Sequence, residues 1–208
     1  MIEVCNYTKI MRRRKVLDNI NITFKKGVAY GLYGRNGSGK TMLLRAIAGL
    51  IFPTKGEIKI DNKVLHKDIS FPPSVGVIIE NTSLLPQYNA FTNLKILAKI
   101  KNTATEDDIE WALTSVGLDA HDKTLVRAYS LGMKQRLAIA QAIFEKPELL
   151  LLDEPTNALD EKSVVAIREL LLDLKENGTT IILASHNKED LHILADETIS
   201  IVEGKIDN

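Results

Sequence analysis

The stretch Gly34-Arg35-Asn36-Gly37-Ser38-Gly39-Lys40-Thr41 constrains this chain more than any other, because it meets the pattern G-x-x-x-x-G-K-[ST] at each fixed position. The pattern has meaning only between a strand and a helix, and the flanks supply both. Upstream, Val28-Ala29-Tyr30-Gly31-Leu32-Tyr33 reads as a strand leaving a Lys25-Lys26-Gly27 turn; downstream, Leu43, Leu44, Ile47 and Leu50 recur at helical spacing. Gly34, Gly37 and Gly39 let the backbone curl until successive N–H groups point inward, and the following helix turns its positive dipole end to the same place. Such a cradle holds phosphate. Lys40 is placed to reach the β- and γ-phosphates of a nucleotide, Thr41 to offer its hydroxyl to Mg²⁺, and Met42 follows in the same first turn.

A loop of this kind needs a sheet around it, and 208 residues suffice for one large domain or for one domain carrying an inserted subdomain. Hydrophobic residues at 45% provide ordinary core material. Lys+Arg and Asp+Glu are equal at 27 each, so the composition offers no basic surface in bulk and no nucleic-acid partner is expected. Apolar runs such as Leu149 to Leu152 fall far short of the roughly 20 residues of a membrane span, so any membrane role must come through a partner. The single Cys5 has no internal disulfide partner, and Met1-Ile2-Glu3-Val4 lacks the order of a signal peptide. Both observations lead to a cytoplasmic expectation.

Taken in order, Ile2 to Tyr7 and Asn19 to Phe24 alternate as two half-buried strands. Between them lies the basic turn Met11-Arg12-Arg13-Arg14-Lys15, either a solvated loop or a border of the nucleotide with Met11 covering the base. Strands are predicted at Glu57 to Ile60 and Val75 to Ile79, with Asp61-Asn62-Lys63 a turn between them. From Thr82 the strand signals vanish, and helical patterns follow at about Thr92 to Ile100 and Thr105 to Val116, the second opening on a Thr105/Asp108 capping box. Residues 82–128 therefore read as a helical insertion in an α/β core, with Trp111 packing inside it. A helix from Ser130 to about Phe144, the strand Leu149 to Leu152, a helix from Glu161 to Lys175 capped at Asn177-Gly178, the strand Thr180 to Ala184, a short helix near Asp190 and the strand Glu197 to Val202 complete the reading.

The run Leu149 to Leu152, apolar throughout as in a parallel strand covered on both faces, delivers Asp153 and Glu154 at its carboxyl end. With a phosphate loop upstream, Asp153 is positioned to hold Mg²⁺ and Glu154 to polarise an attacking water.

The stretches Gly34 to Thr41, Ser130-Leu131-Gly132-Met133-Lys134-Gln135-Arg136, Leu149 to Glu154, Asn157-Ala158-Leu159-Asp160 and His186 occur in the order and at about the spacing found in ATP-binding cassette (ABC) domains. The chain resembles that family over its whole length. It looks most like the separate ATPase subunits of bacterial exporters for bacitracin or lantibiotic peptides, on the strength of Tyr129 to Leu137 and Glu80. The resemblance implies a phosphate-loop NTPase core with a mostly parallel sheet, an N-terminal antiparallel β portion and an inserted α-helical subdomain, residues 1–208 forming a single nucleotide-binding domain. It implies ATP and Mg²⁺ as ligands, hydrolysis coupled to export, and two copies, identical or paired, packed head to tail. The signature Ser130, Leu131, Gly132 and Met133 of one copy would then face the γ-phosphate on the other, and Asp160 would cross the dimer interface. His186 would contact the γ-phosphate, while His66, His121 and His192 keep structural roles. The resemblance further implies integral membrane permease subunits holding the chain at the inner face of the membrane.

Three positions depart from the family's common form. Glu80 stands where most members carry Gln; it can still reach Mg²⁺ but adds a negative charge. Leu131 stands where Gly is commoner, and must point away from the phosphate. Met11 stands where an aromatic usually stacks on adenine, which implies weaker base discrimination. A soluble cassette acting on ribosomes or DNA is the alternative reading, disfavoured by the single cassette and the neutral charge. A binding regulator without turnover is disfavoured by Asp153, Glu154 and His186 together.

Overall fold

In the computed structural model, which describes residues 1–80 and 83–207, the chain opens on a long antiparallel hairpin of β1 (Ile2–Met11) and β2 (Arg14–Phe24). Arg12 and Arg13, at φ 47° and 65°, form its two-residue turn, the left-handed pair that suits the twist of a hairpin. Both strands run well beyond the expected Tyr7 and Asn19. The pairing shifts register near Tyr7 and Lys9, and Asn6 and Asn19 adopt positive φ, so the inside-outside alternation breaks although the ladder continues. Met11, Arg14 and Lys15 are thus strand residues, not turn.

After β3 (Ala29–Tyr33) come the phosphate-loop stretch and α1 (Lys40–Ile47), then β4 (Lys55–Ile60), β5 (Lys63–Val64) and β6 (Val75–Ile78). The expected turn at 61–63 is shorter: Asp61 and Asn62, both at positive φ, make it, and Lys63 already pairs with Ile60. Two helices follow, α2 (Ala90–Lys101) and α3 (Glu106–Ser115), before α4 (Leu131–Ile143). Then come β7 (Leu149–Asp153), α5 (Glu161–Glu176), β8 (Thr180–Ala184), α6 (Lys188–Leu194), β9 (Glu197–Val202) and a short β10 (Lys205–Asp207).

The strands form two sheets, an antiparallel one in the order β2-β1-β4-β5 and a second in the order β10-β9-β3-β8-β7-β6, parallel except for β10. The leucine run explains how they stack. Leu149 and Leu151 face a core shared with α1 and the antiparallel sheet, through Leu43, Leu44, Ile47, Val4 and Phe24. Leu150 and Leu152 face a second core formed with α4, α5, α6 and the α2–α3 pair. Each leucine contributes roughly 1.5–3 kcal/mol of burial, and with successive side chains on opposite faces an unbroken apolar run is what a doubly covered strand requires. This is the expected mixed α/β architecture.

The helical stretch is held by its own polar ties. Buried Asn93 on α2 accepts from Leu85 N at 2.7 Å and donates to Leu85 O and Asn89 O, and the Asn89 side chain caps the helix through Thr92 N. Thr105 and Asp108 form the anticipated capping box on α3, and Trp111 packs against the second core. Residues 81, 82 and 208 lie outside the described residues, so the boundary drawn at Thr82 does too.

Candidate active site

Parallel pairing sets Leu32 beside Ala184 and Ala184 beside Asp153, so β3, β8 and β7 release their next residues along one edge. Those residues are Gly34, Ser185-His186 and Glu154. A cavity of about 490 Å³ opens there. Asn36 to Met42 form one wall, Asp153 and Glu154 lie at its side, and Arg14, Lys15 and Val16 from β2 together with Glu203 and Gly204 complete it.

The loop's shape is enforced by close backbone approach. At Gly34 (φ 153°) a Cβ would stand 2.3 Å from Ile201 O, and at Gly39 (φ 119°) one would stand 3.0 Å from Val16 O, so neither position accepts a side chain. Ser38 N donates to Arg35 O at 3.1 Å, and Gly204 N donates to Ser38 O at 2.7 Å, bracing the loop from the turn between β9 and β10. Lys40 Nζ arches back to donate to Gly34 O at 2.7 Å. Ser38 Oγ is buried without a hydrogen-bond partner, a cost of about 1–3 kcal/mol that an anion in the cradle would offset.

Thr41 Oγ1 donates to Asp153 Oδ2 at 2.7 Å, bringing together two of the three side chains expected to hold a cation. Burial pushes the Asp153 carboxyl above its ordinary range, the charge of Glu154 adds to this, and the Thr41 hydrogen bond opposes it. A desolvated carboxylate of this kind gains from a positive partner. Among the described residues no cluster of three His, Cys, Asp or Glu side chains could hold a metal alone. The pair fits Mg²⁺, which takes one or two protein oxygens and completes its shell with water and phosphate.

Glu154 sits at φ 50° with its N–H bonded to Ala184 O at 2.8 Å. One carboxylate oxygen accepts from His186 N at 3.0 Å; the other lies 2.8 Å from His186 Nδ1 and 3.4 Å from Ser185 Oγ. The two expected catalytic residues are therefore in contact. Glu80 is elsewhere engaged, pairing with Arg45 of α1 at 2.5 Å, although its charge is felt at Asp153. Met11 stands exposed directly opposite Arg14 in the hairpin and is not among the residues lining the cavity.

The signature residues lie apart from this cavity. Ser130 caps α4, its Oγ accepting from Met133 N at 3.2 Å, and none of residues 130–133 lines the cavity beside Asn36 to Met42. Leu131 is 71% exposed, so its side chain leaves the backbone around Ser130 and Gly132 open. Asp160 caps α5 by accepting from Ser163 N at 2.8 Å, a bond that holds its carboxyl below the ordinary range. Sequence reasoning missed Val16, Glu203 and Gly204 in the wall. The Glu203-Gly204 pair, a turn signal directly after an apolar strand, could have marked that end of the wall.

A phosphate cradle and a carboxylate pair at neighbouring strand ends, walled on one side by β2 of the antiparallel sheet, define a nucleotide-hydrolysing cassette. The family model described as "ABC transporter" matches residues 17–157, and the chain belongs to that family. Over 207 residues it is 59% identical to the uncharacterized ABC transporter ATP-binding protein YybJ of Bacillus subtilis (strain 168), covering 100% of this chain and 95% of that one. It is 40% identical to the bacitracin transport ATP-binding protein BcrA of Enterococcus faecalis (99% and 68% covered) and 37% identical to the lantibiotic transport ATP-binding protein SrtF of Streptococcus pyogenes (99% and 89%). Among solved structures it is similar to the dimeric bacterial ABC transporter cassette MJ0796, at 26% identity and TM-score 0.90 over 100% of this chain and 97% of that one. The same protein is also known in a dimeric post-hydrolysis state bound to ADP and Pi, which this chain matches at TM-score 0.89. The chain is accordingly an ATP-binding, ATP-hydrolysing subunit of an ABC transporter.

Proposed function

We propose that this subunit drives export of a peptide antibiotic, bacteriocin or drug through separate permease subunits, which hold it at the inner face of the cell membrane. The observation that carries the chemistry is the alignment of Thr41–Asp153 and Glu154–His186 at adjacent strand ends beside the phosphate loop. The bacitracin and lantibiotic transport relatives support the cargo class.

In this reading residues 1–208 act as one nucleotide-binding domain, with 82–128 as its helical subdomain. Gly34, Arg35, Asn36, Gly37, Ser38, Gly39, Lys40, Thr41 and Met42 wrap the phosphates, and the base lies toward Met11 and Arg14. Thr41 and Asp153, with Glu80 swung from Arg45, supply the oxygens for Mg²⁺, which when bound neutralises phosphate charge. Glu154 accepts the proton of the attacking water, and His186, freed from Glu154, turns to the γ-phosphate. Ser130 and Gly132, flanked by Leu131 and Met133, reach the γ-phosphate of a second copy or a related subunit. That they stand away from their own chain's cavity supports this arrangement, with Asp160 at the shared interface. The segment from Glu80 to Asn93 passes the movement to the permease.

Glu154→Gln tests the reading. Turnover should fall by about a hundredfold or more while ATP binding persists, and light scattering should then detect an ATP-dependent dimer. Wild-type turnover in that variant would overturn the assignment. Co-purification of a polytopic membrane protein that raises ATPase activity would test the permease partnership.

A further inference from the structure

The chemistry above uses Glu154, His186 and the loop that carries Asp160, but it leaves unused a fully buried acid bonded to the neighbours of these residues, Thr156 and Ser185. Asp190, the third residue of α6, has no exposed surface. Its two oxygens have different tasks. Oδ1 takes both contacts from Arg168 of α5, Nε at 2.8 Å and Nη2 at 2.6 Å. Oδ2 accepts from Thr156 Oγ1 at 2.5 Å and lies 3.5 Å from Ser185 Oγ. Ser185, also fully buried, has its hydroxyl 3.4 Å from Glu154 Oε2 and accepts from Asn187 N at 3.0 Å.

We propose that Asp190 is a positioning residue for hydrolysis, locking the turn 154–160 to the 185–186 loop so that Glu154, His186 and Asp160 move as one body. Pairing with Arg168 occupies only one oxygen. The other is given to two hydroxyls: Ser185, whose Oγ is 3.4 Å from the Glu154 carboxylate, and Thr156, on the turn that begins at Glu154. The turn it grips is under load, since Glu154 and Ala158 are non-glycine residues at φ 50° and 65°. The same turn touches the signature helix, where Gln135 Nε2 donates to Pro155 O at 2.8 Å and a Cβ at Gly132 would come within 3.1 Å of Ala158 O. Through Thr156, Asp190 therefore links the residue that activates water in one ATP site to the residues offered to the other. A purely stabilising ion pair would need none of these contacts, and a buried ion pair is weak evidence for stability in any case.

This inference rests on the ATPase reading, so the test begins with wild-type turnover: no hydrolysis by the wild type would sink both. Thr156→Val removes the hydroxyl and keeps the shape and the Arg168–Asp190 pair, whereas Thr156→Ser keeps the hydroxyl. The expected result is that Thr156→Val lowers kcat by about tenfold or more with KM for ATP changed less than about twofold, and that Thr156→Ser retains kcat within about twofold. Asp190→Asn, the second probe should Thr156→Val fold poorly, should show the same fall in kcat at constant KM. The role of Asp190 alone is overturned if Thr156→Val turns over like the wild type, if Thr156→Ser loses as much as Thr156→Val, or if KM rises in step with the loss of kcat.

Discussion

Glu154 holds a backbone conformation that costs a non-glycine residue about 1–3 kcal/mol, and the cost is met by four neighbours: Ala184 O below its N–H, and Ser185, His186 N and the His186 ring around its carboxylate. That tight seating sets the carboxylate directly against the histidine ring. The hairpin end of the cavity, where the proposed function puts the base, is built differently. Arg14, Lys15 and Val16 line it, Met11 lies across the hairpin from Arg14, and no aromatic ring stands among the lining residues. A guanidinium or a thioether covers any purine face without distinguishing its edge. Competition binding should therefore place ATP and GTP within about tenfold of one another, some 1.4 kcal/mol. A larger preference would mean that a residue elsewhere reads the base.

Among the elements, α3 depends most visibly on its first turn. Asp108 bonds to Thr105 in the capping box and pairs with Lys146 before β7, and Lys146 first and Thr105 second hold its carboxyl down to about 2. A lowered folded-state pKa contributes stability above the ordinary value of 3.8 and loses it as pH falls toward about 2. Asp108→Asn should lower the urea midpoint relative to wild type by a constant amount from neutral pH down to about 4, and the gap should narrow below that. A gap that does not narrow would place its origin in packing. This box was readable in advance because capping is local, and β8 and β9 were readable to the residue because each is a short apolar or alternating run with turn signals at both ends. The far halves of β1 and β2 were not, since bulges hide a ladder that only the pairing of distant residues reveals. Lys63–Val64 and Lys205–Asp207 are too short to carry a period.

For the whole molecule, the phosphate loop, Asp153 and Glu154 were visible in the sequence as contiguous motifs, and the parallel sheet brings them together. What the sequence hid is what joins them: Ser185 and Asp190 under Glu154, Glu80 on Arg45, and the wall from Val16 to Gly204, all made by residues far apart along the chain. No helix among the described residues is long and apolar enough to cross a membrane. If each ATP must be enclosed by a second copy, the total hydrolysis rate of the isolated subunit should rise more steeply than linearly with its concentration in the micromolar range, so that activity per chain climbs and then levels off; a strictly constant activity per chain would argue for a self-sufficient site. The brace from Gly204 N to Ser38 O carries a consequence of another kind. Because a ribosome makes the chain from its amino end, the cradle at 34–41 is synthesised early yet lacks its last backbone bond until residue 204 has emerged. The brace on the loop thus forms only when nearly the whole chain has been made.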